Sequence, residues 1–241
     1  MHIIICQTLE ICGNSSLCDN PVLSRYMKGI FVAKPSKPKY TYTWDVSKVL
    51  TFLNTLWPLQ NLSLKELTLK LVALLALSTV QRVQTLGFLK LNLLSDFGDY
   101  LVFTIDKLTK TSKPGKTLQK CKIDKHTNKR LCVVHTLKYY IKTTAKLRKS
   151  QRLLISFKTY NAVSTSTIAR WLKTVLHLAG IDTSIFTAHS FRGDSTSKAF
   201  ACGVSLSDIL RTANWSNVNT FHKFYNRQSE TSYSSVVLAK D

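Results

Sequence analysis

The sequence predicts an α+β fold, mostly helical, with a small three-stranded antiparallel sheet packed among the helices. Three observations carry this reading. Apolar residues recur at helical spacing through most of the chain beyond residue 40. Three short strand-like runs, "FLKLNL", "YLVFTI" and "LQKCKI", fall close together between two long helical stretches. The chain has 241 residues and 44% hydrophobic content, enough for one sizeable core.

The first forty residues differ from the rest. "NSSLCDNP" is rich in turn formers. "AKPSKPKYTYTW" carries two prolines, which exclude helix at and just before themselves, and reads as an extended linker. The boundary is placed near Tyr40, giving residues 1–40 as extension and linker and 41–241 as the main domain.

Within that domain, "WDVSKVLTFLNTLW" has Val46, Val49, Leu50, Leu53 and Leu56 at helix spacing and Pro58 as a stop. "SLKELTLKLVALLALSTVQR" opens on a capping box, Ser63 with Glu66 three residues later. Its core-facing stripe is Leu64, Leu67, Leu71, Leu74, Leu75 and Ser78, and Arg82 closes the apolar run. The three strand runs follow. Pro114-Gly115 in "KLTKTSKPGKT" suits a turn with positive φ at the glycine. "VVHTLKYYIKTTAKLRK" reads as a helix with lysines outward, and "LLISF" as a short strand or extended link. "STSTIARWLKTVLHLAG" and "HSFRGDSTSKAFACG" are helices ending at Gly180 and Gly203. "SLSDILRTA", capped by Ser205 and Asp208, and "NVNTFHKFYNR" complete the set.

Charge is the outlying quantity. Lys+Arg 34 against Asp+Glu 13 gives a net charge of +21. From Ile105 to Arg152 there are fifteen basic residues and two acids, Asp106 and Asp124. An ordinary charge run is a solvated face, but this density points to a polyanion, because each phosphate contact releases counterions. A membrane partner is disfavoured. The most apolar run, from Leu71, has about ten residues where a span needs about 20. The start lacks a basic and then apolar signal pattern. Cys6, Cys12, Cys18, Cys121, Cys132 and Cys202 form no CxxC pair and read as reduced, buried thiols rather than disulfides or metal ligands.

"AHSFRG" sets His189 and Arg192 three apart near a helix start, on one helix face. An imidazole and a guanidinium pointing the same way there suit a phosphodiester. The pair alone is common and more often structural. Trp215 follows Arg192 by 23 residues, Tyr225 follows Trp215 by ten, and Arg82 stands upstream at the end of a buried run. Taken one at a time, Trp215 also reads as a buried anchor and Arg82 as a helix-end cation. His177 and His222 have no place in the register.

This ordered set resembles the tyrosine recombinase (phage integrase) family over residues 43–241. The wording "YTYTWDVSKVL", "LSLKELTLKLVALLAL" and "NWSNVNTFHKFYNR" is most similar to the recombinases of DIRS-type retrotransposons. The resemblance implies the tyrosine-recombinase catalytic fold and a DNA strand transferase working through a 3′-phosphotyrosyl intermediate in integration of a mobile element. Arg82 and Arg192 hold the scissile phosphate in that reading, and His189 donates to a phosphate oxygen or takes the tyrosine proton. Trp215 donates its indole N–H, and Tyr225 attacks phosphorus. A hairpin lysine protonates the leaving oxygen. Lys110 is chosen because Lys-Thr precedes the turn in the resembling pattern. Lys107, Lys113 and Lys116 are assigned to DNA contact, which is also the plain alternative for Lys110. No metal and no small-molecule cofactor are implied. The implied partner is double-stranded DNA, bound by a homotetramer on paired sites, in the nucleus if the host is eukaryotic.

The chain departs from the family in three places. Thr85 stands where an acid often follows the early arginine. The Trp215-to-Tyr225 gap is ten where nine is common. Only about forty residues precede the catalytic part, so "LSRYMKGIF" reads as the tail of a core-binding domain. The alternative from another class is a DNA-binding remnant of such a recombinase without turnover.

Overall fold

The structure is a computed structural model and describes residues 20–35, 42–109, 115, 117–215 and 218–224, with backbone alone at 220, 223 and 224. Lys110, Lys113, Lys116 and Tyr225 lie outside the described residues, as do Cys6, Cys12 and Cys18. The chain divides into two compact units, Met1–Lys39 and Tyr40–Asp241.

In the first unit, α1 (Pro21–Ala33) spans "LSRYMKGIF", between the turn-rich "NSSLCDNP" and the proline-bearing linker. Asn20 is its cap, its side chain accepting from the amides of Val22 and Leu23, and Pro21 takes the first helical position, where no amide is needed. The helix buries no side chain.

The second unit is built around α3 (Leu64–Thr79). Its capping box is complete: Ser63 Oγ accepts from the Glu66 amide at 3.3 Å, and the Glu66 carboxylate accepts from the Ser63 amide at 2.8 Å. A single apolar stripe was expected, but the helix is buried on every side from Leu67 to Ala76, because, besides the short helix that follows it, it packs against four more distant partners. These are α5 (Val133–Thr144), α6 (Thr165–Leu178), α7 (Ser190–Ala201) and strand β3 (Lys120–Asp124). Ser78, expected in the stripe, is exposed. Burying each leucine there contributes about 2 kcal/mol. The helix α2 (Val46–Thr55), capped by Asp45, lies against α6 and α7.

The sheet is antiparallel in the order β1 (Leu94–Asp96), β2 (Tyr100–Thr104), β3. Leu101 pairs with Ile123 and Phe103 with Cys121, so one face is apolar and buried while Lys120, Lys122 and Asp124 point outward. Gly115, in the connection between β2 and β3, has φ 74°, as the turn chemistry predicts. The run "FLKLNL" is not the first strand. Phe88 ends α4 (Val83–Phe88), Leu91–Leu93 is a 3-10 turn, and the strand starts at Leu94. The reason is long-range. Leu91 donates to the Gln151 carbonyl and Leu153 donates to the Leu89 carbonyl, both at 2.8 Å, which joins Lys90 to Arg152 as an isolated antiparallel bridge outside the sheet.

Two thiols, Cys121 and Cys132, are buried and free as expected, whereas Cys202 is free but exposed. Burial pushes the Cys121 thiol up to about 12, which keeps it protonated and unreactive. No helix among the described residues is long and apolar enough to cross a membrane.

Lys70 is the unexpected charge in the core. It is fully buried, and its Nζ donates to the Leu56 carbonyl at 2.5 Å. Burial, reinforced by the Arg130 charge, lowers its pKa to about 8. An unfolded lysine titrates near 10.4. Between those values the unfolded chain binds more protons than the folded one, so this group makes stability rise with pH. Relative to Lys70→Met, the natural chain should gain about 2 kcal/mol of unfolding free energy between pH 7 and pH 10 in denaturant titrations. Parallel pH profiles for the two proteins would refute this.

Candidate active site

The turn out of α3 places the first arginine. Arg82 does not end the helix. Thr79 does, and Val80 then adopts φ 54° and ψ 20°. A β-branched residue in the left-handed region costs on the order of 1 kcal/mol or more, and such strain persists only where the surroundings impose it. The tight reversal puts Arg82 at the N-cap of α4, extended and half-buried, with its carbonyl accepting from Leu86 at 3.0 Å.

The start of α7 places the next two groups. Trp44, buried just before α2, donates from Nε1 to Ser190 Oγ at 2.7 Å and packs edge-on to Phe191 at 5.2 Å. These contacts pin the first turn of α7. His189 is its exposed N-cap residue, and Arg192, three residues on, is 4% exposed.

Arg82, His189 and Arg192 line one cavity of about 420 Å³. Its wall is apolar, with Ala76, Val83, Leu172 and Phe191 among the residues. Two further cations line it that sequence reasoning did not single out, Arg170 and Lys173 on α6. Their three-residue spacing puts them on one helix face, and that was the available signal. Among the described lining residues there is no carboxylate. Thr85, which replaces the family's usual acid, is buried in α4. A cavity with four cations, an imidazole and apolar walls suits a compact anion and strengthens its electrostatic binding.

Trp215, just after α8 (Leu206–Ala213), is not among the residues lining this cavity but touches its second arginine. Asn214 caps that helix at φ 53°, and the Trp215 amide donates to the Leu210 carbonyl at 2.9 Å. The Arg192 guanidinium lies over the Trp215 ring, 4.7 Å from its centroid, and also donates to the Ala213 carbonyl. Trp215 is therefore half-buried beside the second arginine. On its other side it meets Phe221 at 6.3 Å. Phe221 is fully buried, packs edge-on to Phe200 at 5.2 Å, and fixes α9 (Val218–Phe224). Tyr225 is the next residue in the chain.

Of the lysines expected to contact DNA, Lys107 is described and exposed. The basic run divides by role. Arg148 donates to the carbonyls of Arg152 at 2.9 Å and Leu153 at 3.5 Å, and Arg152 donates to the Gly87 carbonyl. These two are half-buried and hold loops together. Lys122 and Lys138 pair with Asp124 and Asp96 at 2.5 and 2.7 Å. Lys107, Lys120, Lys129, Arg130, Lys142, Lys146 and Lys149 remain as an exposed basic surface. His177 and His222 are exposed, and Tyr140 is fully buried, its hydroxyl accepting from the Ile155 amide at 3.3 Å.

The phage integrase family model matches residues 39–231. The chain belongs to the phage integrase family. No curated protein matches it. Among solved structures it is similar to XerA recombinase, at 14% identity and a TM-score of 0.60 over 86% of this chain and 65% of that one. It is also similar to the XerH site-specific recombinase bound to palindromic difH substrate in a post-cleavage complex, at 12% identity and a TM-score of 0.57. That alignment covers 75% of this chain and 48% of that one. A lambda integrase (75–356) dimer bound to a COC′ core site gives 16% identity and a TM-score of 0.54, over 85% and 66%. The chain spans about half the length of the XerH structure. At these identities the likeness establishes the tyrosine-recombinase catalytic fold.

Proposed function

We propose that the chain is a DNA strand transferase that cleaves and rejoins DNA through a 3′-phosphotyrosyl link. The observation that carries this is the convergence of Arg82, His189 and Arg192 on one cavity, with Trp215 stacked on Arg192 and α9 anchored beside it. In this reading the Tyr225 oxygen forms a bond to phosphorus and the P–O5′ bond breaks. The phenol proton passes to His189 or water, and the 5′-oxygen takes a proton from a hairpin lysine, Lys110 in the resembling pattern. Arg82 and Arg192 balance the charge that grows on the non-bridging oxygens in the transition state. The bond energy is held in the phosphotyrosine, so rejoining to another 5′-hydroxyl draws on no ATP. Lys107, Lys113, Lys116 and the exposed basic surface hold the DNA backbone.

Double-stranded DNA is the proposed partner, with a homotetramer on paired sites as the working assembly. Integration of a DIRS-like mobile element is the proposed setting, in the nucleus of a eukaryotic host. Residues 1–40 are proposed to belong to the linker and the end of a core-binding domain. These finer points rest on the resemblance in sequence wording.

The test starts from duplexes selected from a random pool by the protein's own binding. Nicked versions of these, in which the short fragment carrying the freed 5′-hydroxyl diffuses away, should trap a denaturation-resistant adduct that maps to Tyr225 by peptide mass. Salt-sensitive binding with no adduct on any selected duplex would instead identify a non-catalytic DNA-binding module.

A further inference from the structure

We infer that Gln81 is a positioning residue that ties the β2–β3 hairpin, and with it the proton donor for the leaving oxygen, to the two arginines; this rests on the strand-transfer reading above. Gln81 is 8% exposed and immediately precedes Arg82. Its Nε2 donates to the Thr79 carbonyl at 3.2 Å and to the Thr212 carbonyl at 3.3 Å. Carbonyls only accept, so the orientation of the amide is set. Its Oε1 therefore faces the other way and accepts from Gln119 Nε2 at 2.8 Å. Gln119 Oε1 in turn accepts from the Thr109 hydroxyl at 3.0 Å. The four groups form one directed chain from hairpin to α8, with every Gln81 donor and its oxygen engaged.

Each end of this chain abuts a residue of the proposed reaction. Thr109 is joined to Lys110. Thr212 is joined to Ala213, whose carbonyl accepts from Arg192. Thr79 and Gln81 flank the strained Val80 that turns the chain into Arg82. The hairpin stem is otherwise fixed near this point by the bond from the Ile105 amide to the Gln119 carbonyl at 2.9 Å. That backbone bond sets strand pairing, but it does not tie the stem to the arginine turn. A buried amide with two engaged donors holds direction where an apolar side chain of equal size would only fill space. A 1 Å error in placing a proton donor is enough to slow a reaction severely.

The experiment compares single-turnover adduct formation on two nicked duplexes, one ordinary and one with sulfur in place of the bridging 5′-oxygen. A thiolate leaves without a proton, since thiols titrate near 8.5. Gln81→Met should slow adduct formation at least tenfold on the ordinary duplex and recover most of that loss on the sulfur duplex. Gln119→Met, at the half-buried end of the chain, should do the same while leaving the Gln81 bonds to Thr79 and Thr212 in place. The double variant should be no slower than the slower single one, because both break one link. Equal losses on both duplexes, or no loss on either, would overturn the positioning role while leaving the strand-transfer reading intact. Absence of any adduct with the natural chain on both duplexes would overturn both.

Discussion

Arg192→Lys is expected to slow adduct formation on the order of a thousandfold while changing DNA affinity less than tenfold. Arg192 is buried, its plane lies over the Trp215 ring, and one terminal nitrogen donates to the Ala213 carbonyl. A guanidinium has five N–H donors in a rigid fork, so the bond to Ala213 orients the group without using it up. Lysine keeps the charge but offers a point ammonium on a flexible stem. It cannot stack on the indole and hold the carbonyl while also meeting two phosphate oxygens. Ground-state attraction to DNA is spread over the whole basic surface and barely changes. In the proposed strand transfer the transition state carries its extra charge on oxygens inside this one cavity, so the loss should fall on the rate. A loss of less than tenfold in rate would remove Arg192 from the phosphate site.

The same residues show what could be read beforehand. The caps at Ser63, Ser205 and Gly180 and the alternation through β2 and β3 are local, and local chemistry decides them. The grouping of Arg82, His189 and Arg192 was legible as ordered spacing, since no one of them is distinctive alone. What escaped depends on partners far away in sequence. "FLKLNL" alternates like a strand, yet its backbone bonds go to residues 151 and 153. Arg148 and Arg152 look like DNA contacts until the carbonyls that hold them are placed. Gln81 has no sequence signal, because its meaning lies in Gln119 and Thr212. Trp44 begins a helix in sequence and braces the His189 turn in space.

Tyr225→Phe is expected to abolish adduct formation, at least ten-thousandfold, with DNA affinity and its salt dependence unchanged within about twofold. Phenylalanine keeps the ring and removes only the oxygen that would bond to phosphorus. Phe221 is fully buried against Phe200 and Trp215, and Trp215 carries Arg192. A continuous packing path therefore runs from Arg192 to the helix that leads into Tyr225. The competing tyrosines are less suited. Tyr140 is sealed in the core, where burial raises its phenol pKa and keeps it protonated. Tyr100 is stacked on Phe97 at 4.8 Å, with the Lys122 ammonium 4.6 Å from its ring. Tyr233 lies eight residues beyond Tyr225 and is the natural control. Tyr233→Phe should form adduct at the unaltered rate. If instead Tyr233→Phe is inert and Tyr225→Phe active, the nucleophile has been misassigned and Phe221 anchors α9 for packing alone.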